Sequence, residues 1–166
     1  EAGADIAICG SSPKEKAEEV LSGIRRLGAN AEYWQVDLSQ EGNGRKFVQD
    51  VIRHFGKVDI VVNNAALASH DWHQSQIINV ASPCEIMEES AKDMAKRSYG
   101  RIVNISSSCI FSGGTTSAPY NATKAALDSV SRFMAKKYAG KGILINIIAP
   151  GPVLTEMAQM RYSKEE

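Results

Sequence analysis

Apolar and polar positions follow two rhythms along this chain, and the chain switches repeatedly from one to the other. Short runs rich in Ile, Val and Ala at Asp5–Cys9, Glu32–Val36, Val58–Val62, Arg101–Ile105 and Ile143–Ile148 barely alternate, which predicts strands buried on both faces. Between them, apolar residues recur three and four apart. Ala17, Val20, Leu21, Ile24 and Leu27 form one stripe ending at Gly28, and Phe47, Val48, Val51, Ile52 and Phe55 form another ending at Gly56. Ile77, Val80, Cys84, Met87, Ala91 and Met94 lie on one face of a helix expected over 74–97, and a further helical pattern opens at Tyr120. Ser12, Pro13 and Glu15 predict a capping box with proline in the first helical position. Strands alternating with helices of this length require right-handed crossovers. The expected fold is therefore α/β, a doubly wound parallel sheet in a Rossmann-like three-layer α/β/α arrangement, with a single domain over 1–166.

That architecture sets where chemistry can sit, because open α/β sheets place ligands at the carboxyl edge of the strands. The run Ile102-Val103-Asn104-Ile105 ends in Ser106-Ser107-Ser108, so a buried strand delivers hydroxyls to that edge. A turn through Gly113 and Gly114 follows. Tyr120 and Lys124 then lie four residues apart, on one helical face, where an ammonium can approach a phenol. Lowering a tyrosine from its ordinary value of about 10 to near 7 needs about 4 kcal/mol of preferential phenolate stabilisation. A fixed cation supplies part of it, and a neighbouring serine can bond an oxygen on which charge develops. These residue types suit carbonyl reduction or alcohol oxidation by hydride transfer.

Two further segments accompany this set: Asn63-Asn64-Ala65-Ala66 after one strand, and Pro150-Gly151-Pro152-Val153-Leu154-Thr155 after another. In this order the chain closely resembles the short-chain dehydrogenase/reductase family, classical type, over nearly its whole length. The resemblance implies an NAD(P)-dependent oxidoreductase whose catalytic residues are Asn79, Ser107, Tyr120 and Lys124. Ser107 precedes Tyr120 by the family's usual interval and is chosen over Ser106 and Ser108. Tyr120 is the implied acid/base and Lys124 the partner that lowers its pKa and holds the nicotinamide ribose. Asn79 is implied to position a water in the proton path. For the cofactor the resemblance implies Ser11, Ser12, Asp37, Leu38, Asn64, Ala65, Ala66, Pro150, Gly151, Val153 and Thr155, together with Tyr120 and Lys124.

The resemblance also implies a first strand and glycine-rich turn in the middle of a sheet ordered 3-2-1-4-5. This sequence lacks them and is short after Ala66, so it reads as a partial record of the domain. Where NAD-preferring relatives carry an acid after the second family strand, Gly10, Ser11 and Ser12 stand here with Lys14 nearby. NADP is therefore favoured, with NAD possible.

Composition narrows the setting. The chain is 43% hydrophobic with zero formal net charge, which argues against a nucleic-acid partner. No apolar run is long enough to span a bilayer and no signal peptide opens the chain, so a cytoplasmic protein is expected. Cys9, Cys84 and Cys109 show no disulfide or zinc spacing, and His70-Asp71-His73 lacks a third ligand at helical spacing, so no metal is expected. The expected partner is a small carbonyl or alcohol: a β-ketoacyl group on an acyl carrier, a sugar or polyol, or a steroid-like ketone. A homotetramer or homodimer is implied by the resemblance. The rival readings are a nucleotide-sugar epimerase or dehydratase, and a catalytically silent nucleotide-binding or regulatory relative.

Overall fold

The computed structural model describes residues 3–114 and 116–153. In chain order these form β1 (Ile6–Gly10), a 3-10 turn (Lys14–Ala17) leading into α1 (Glu18–Arg26), β2 (Ala31–Gln35), α2 (Asn43–Phe55) and β3 (Ile60–Asn63). Next come α3 (Trp72–Gln76), a π-helical turn (Ile77–Ala81), α4 (Ser82–Lys96) and β4 (Gly100–Ile105). The last elements are α5 (Cys109–Ser112), α6 (Ala118–Tyr138), a 3-10 turn (Ala139–Lys141) and β5 (Ile143–Ile148).

All pairings are parallel. β1 lies beside β2 with Ile6 opposite Ala31, and β4 lies between β3 and β5 with Arg101 opposite both Ile60 and Leu144. Because alternate side chains point to opposite faces of a strand, β1 serves two cores. Ile6 and Ile8 pack with Leu21 and Ile24 of α1, whereas Ala7 faces the main core with Val48 and Val51 of α2. That main core continues through Met87 and Met94 of α4, Ile102 of β4 and Met134 of α6, all at most 2% exposed. Helices thus flank the strands on both sides, α1 on one and α2, α4 and α6 on the other. On the α1 side of β3 and β5, Ile60, Val62, Leu144 and Ile148 are exposed.

The strands form two sheets, β2-β1 and β3-β4-β5, and the facing edges of β1 and β3 have no ladder partner among the described residues. Between them runs a slot of about 450 Å³, walled by Ala7, Ile8 and Cys9 on one side and 60–63 on the other, with Phe47 and Val51 also lining it. Burial at its edge pushes the Cys9 thiol up to about 11. The slot lies where the resemblance puts the absent strand.

Several local expectations change. Ser12 caps nothing: Pro13 occupies the N-cap and no side chain bonds the first turn, which is 3-10 rather than α-helical. The Ser12 carbonyl instead accepts the Tyr33 hydroxyl at 2.6 Å, and the Ser11 carbonyl accepts Gln35 Nε2 at 3.2 Å, drawing the turn towards β2. Val20 and Leu27 are exposed because α1 lies over only two strands, too narrow a surface for its whole stripe. The helix expected over 74–97 starts at Trp72, capped by Asp71 through Gln74 N–H at 2.9 Å, and the π-turn interrupts it. A short helix, α5, occupies part of the turn before Gly113. At Gly142, φ is +73° and any Cβ would overlap the Ser98 carbonyl, so the entry to β5 needs glycine.

One buried polar chain crosses the main core. Asn63 Nδ2 donates to Asn104 Oδ1 at 2.7 Å, Asn104 Nδ2 donates to Ser131 Oγ at 2.7 Å, and Ser131 Oγ donates to the Leu127 carbonyl at 2.6 Å. Asn104 is fully buried, so each group satisfies the next. Asn104→Ala is expected to lower unfolding free energy by about 3 kcal/mol, through a cavity and an orphaned Asn63 amide. A urea titration showing a loss below about 1 kcal/mol would contradict this role for the chain of bonds.

Candidate active site

Beyond Ile105 the β4 backbone stays paired, since Ser106 N–H donates to the Ile148 carbonyl at 2.7 Å and Ser108 N–H to the Pro150 carbonyl at 2.8 Å. At Ser108 the backbone has already turned into the αR region that opens α5. Ser106 is buried and its hydroxyl donates to the Lys124 carbonyl at 3.3 Å. Ser107 Oγ accepts the Cys109 N–H at 3.2 Å and lies near enough to the Tyr120 phenol to oppose the rise in its pKa.

The helix that carries Tyr120 begins where it does because Ser117 caps it. Ser117 Oγ accepts Tyr120 N–H at 3.2 Å and donates to the Ser69 carbonyl at 2.6 Å, while Pro119 sits in the first turn. Lys124 follows one turn later and is 2% exposed. Its Nζ donates to the Ile105 carbonyl at 2.6 Å and lies 5.7 Å from the centroid of the Tyr120 ring. Ser107, Tyr120 and Lys124 thus converge at the carboxyl end of β4.

The electrostatics differ from the expectation that Lys124 lowers the phenol. Burial raises Tyr120 above its ordinary value, the Ser107 hydrogen bond opposes this, and the Cys109 thiol adds to it. Burial lowers Lys124 below its ordinary range, with Cys109 acting against that. The ammonium, 5.7 Å from the ring centroid, is not among the groups that shift the phenol, so desolvation dominates.

Asn79 is 1% exposed inside the π-turn. Its Oδ1 accepts Leu67 N–H at 2.7 Å, and its Nδ2 donates to the Leu67 carbonyl and to Thr123 Oγ1, each at 2.9 Å. Both amide hydrogens are therefore committed to protein partners, while Oδ1 keeps a second lone pair.

The residues expected around a cofactor all follow strand ends. Ser11 and Ser12 are exposed after β1, and Lys14 beside them is ion-paired with Glu32. Asp37 is exposed after β2; its carboxylate accepts Ser39 N–H at 2.9 Å, and hydrogen bonds from Ser39 and Gln40 hold it below the usual carboxylate range. Leu38, Asn64 and Ala65 line the mouth of the slot, and Ala66 is exposed beside them. Pro150, Gly151 and Val153 follow β5, whereas Thr155 lies outside the described residues. Sequence reasoning missed Thr123 and Ser117. A serine just ahead of Pro119 was a readable N-cap signal, but nothing in the sequence pointed to the Thr123 bond.

The sequence profile of the short chain dehydrogenase family matches residues 1–166, and the chain belongs to that family. It is 33% identical over 168 residues to a 2-dehydro-3-deoxy-D-gluconate 5-dehydrogenase of Pseudoalteromonas atlantica, covering 96% of this chain and 66% of the relative. It is 30% identical to a 3-oxoacyl-[acyl-carrier-protein] reductase of Aquifex aeolicus, covering 94% of this chain and 66% of the relative. Among solved structures, a 3-oxoacyl (acyl-carrier-protein) reductase of Agrobacterium tumefaciens with NADP bound superposes with a TM-score of 0.90 at 27% identity, over 99% of this chain and 66% of that one. An NAD+-bound xylitol dehydrogenase gives 0.87 at 26% identity, over 95% and 64%. The chain spans between 60% and 66% of the length of such curated relatives.

Two measurements check the electrostatics. In nucleotide-free protein, Ser107→Ala is expected to move the Tyr120 midpoint further upward, read by ultraviolet difference titration against Tyr120→Phe; an unchanged or lower midpoint contradicts the bond. A lysine depressed by folding binds its proton more weakly folded than unfolded. Its penalty is complete below the folded pKa and fades as pH rises towards the unfolded value of 10.5. Lys124→Met is accordingly expected to lose the gain in stability that wild type makes in that alkaline window, and a Tm difference between the two proteins that does not change with pH would contradict that.

Proposed function

We propose that the protein is an NAD(P)-dependent oxidoreductase, with NADP favoured, that interconverts a ketone and a secondary alcohol. The observation that carries this is the convergence of the Ser107 hydroxyl, the Tyr120 phenol and the buried Lys124 ammonium at the carboxyl edge of β4. The residues fit a nicotinamide nucleotide at that edge. Among the described residues Lys124 donates to one acceptor, Ile105, which leaves two of its three donors for ribose hydroxyls. Exposed turns after β1, β2, β3 and β5 open onto the same side. The slot between β1 and β3 supports the reading that a further parallel strand, with a glycine turn at its carboxyl end, completes the sheet and cradles the pyrophosphate.

A bound nicotinamide supplies the hydride to the carbonyl carbon in reduction and takes it back in oxidation. This chain's residues handle the oxygen. Ser107 donates a hydrogen bond to the carbonyl oxygen as negative charge develops, and Tyr120 transfers the phenol proton to it, completing the alcohol. Lys124 holds the ring from beneath and, with Asn79 in the π-turn, supports resupply of that proton. NADP is favoured by the neutral Gly10-Ser11-Ser12 turn, which presents no carboxylate to repel a 2′-phosphate. The reading extends to a cytoplasmic homotetramer or homodimer acting on a small carbonyl compound.

In the full-length protein, consumption of NADPH with a panel of ketones is expected, at a higher kcat/KM than with NADH. Tyr120→Phe is expected to lower kcat by about a thousandfold or more while nucleotide affinity stays within about threefold. Full activity in that variant would overturn the assignment of roles, and no turnover with either nucleotide would favour a silent nucleotide-binding relative.

A further inference from the structure

Thr123 lies between Tyr120 and Lys124 on α6, is 1% exposed, and touches the surroundings of both. Its hydroxyl has one proton to give and lone pairs to receive. It donates to the Tyr120 main-chain carbonyl at 2.9 Å and accepts Asn79 Nδ2 at 2.9 Å. The other amide groups of Asn79 bridge both main-chain groups of Leu67, in the loop that follows Asn64-Ala65-Ala66. Ser117 fastens the same loop to the start of α6 through Ser69. The first turn of α6, the π-turn and this loop are therefore cross-linked by side chains, and among the described residues only the Thr123 hydroxyl joins the Asn79 amide to the residue bearing the phenol.

We propose that Thr123 is a positioning residue for the Tyr120 phenol, acting through the Tyr120 carbonyl and the Asn79 amide without touching substrate. The proposal rests on the oxidoreductase reading for its kinetic consequence but not for its geometry. A hydroxyl bonded back to the preceding turn biases the helix locally, and here it does so at the turn that aims Tyr120. Without the hydroxyl, one Asn79 N–H is left buried and unpaired. Asn79 can regain a partner only by rotating, which breaks its two bonds to Leu67 and loosens the loop and the helix start together. The groups recorded about the phenol, Ser107, Cys109 and Lys124, would then meet it at changed distances.

The test compares Thr123→Val, which removes the hydroxyl at nearly constant shape, with Thr123→Ser, which keeps it, in the full-length protein. Thr123→Val is expected to lower kcat by about tenfold or more, with the affinity for NADPH within about twofold of wild type. The Tyr120 midpoint, followed by ultraviolet difference titration against Tyr120→Phe, is expected to move away from the wild-type value. Thr123→Ser is expected to stay within about threefold of wild type in kcat and to leave the midpoint in place. A Thr123→Val protein with wild-type kcat and midpoint overturns the proposal, and so does a Thr123→Ser protein that loses as much as Thr123→Val. Should Thr123→Val not fold, Thr123→Ser decides: near-wild-type kcat and midpoint support the hydroxyl, and a tenfold loss overturns it. A wild-type protein without ketone turnover would sink the oxidoreductase reading alone, and the midpoint shift would still decide the positioning claim.

Discussion

A single buried contact sets the geometry on which the site depends: the Lys124 ammonium donating to the carbonyl of Ile105 at 2.6 Å. Ile105 is the last residue of β4 and Lys124 lies within the first turns of α6, so this bond fixes how far the helix slides along the strand. Sliding by one residue along a helix displaces a side chain by 1.5 Å and rotates it by about 100°. The approach of Ser107 to the Tyr120 phenol would not survive either change. Ser106 reinforces the same register from the opposite direction, donating to the Lys124 carbonyl, and the Asn63–Asn104–Ser131 chain repeats it deeper in the core. Polar groups so buried are worth their desolvation only when every one is paired, and that condition selects one arrangement of strand and helix.

Most of the fold could be read from the sequence because the signals were long and periodic. The Ile-rich run Ile143–Ile148 came out with its observed bounds, and the other four strands are displaced by one or two residues at an end. What escaped were features decided by tertiary partners. The Ser12 capping box is locally plausible, yet the Tyr33 hydroxyl and Gln35 amide from β2 take the carbonyls of that turn and leave the box unmade. The π-turn at Ile77–Ala81 leaves no mark in apolar spacing, because Ile77, Val80, Cys84, Met87, Ala91 and Met94 keep the alternating three-and-four intervals of an ordinary helix.

Site legibility divides the same way. Ser107, Tyr120 and Lys124 were recognisable from spacing and resemblance, and the structure brings these three together. The electrostatic relation among them was not legible. Sequence spacing says that an ammonium lies near a ring, whereas its effect on the phenol depends on where the ammonium points and how dry the pocket is. Thr123 was invisible for a related reason: a threonine in a helix is usually unremarkable, and only its burial against Asn79 gives the hydroxyl a role.

Desolvation of Tyr120 bears on the proposed chemistry in both directions. A phenol held above its ordinary value carries its proton at neutral pH but is a weaker acid than free tyrosine, so it gives that proton less readily to an oxygen that is becoming basic. The reverse reaction needs a phenolate as base, which the dry pocket disfavours equally unless positive charge arrives nearby. Lys124 does not supply that charge in this arrangement: it is not among the groups that shift the phenol, and burial weakens its hold on its own proton. The protein framework alone therefore raises the cost of the phenolate in either direction, and the acidity that proton transfer needs has to come from charge carried in by what binds there.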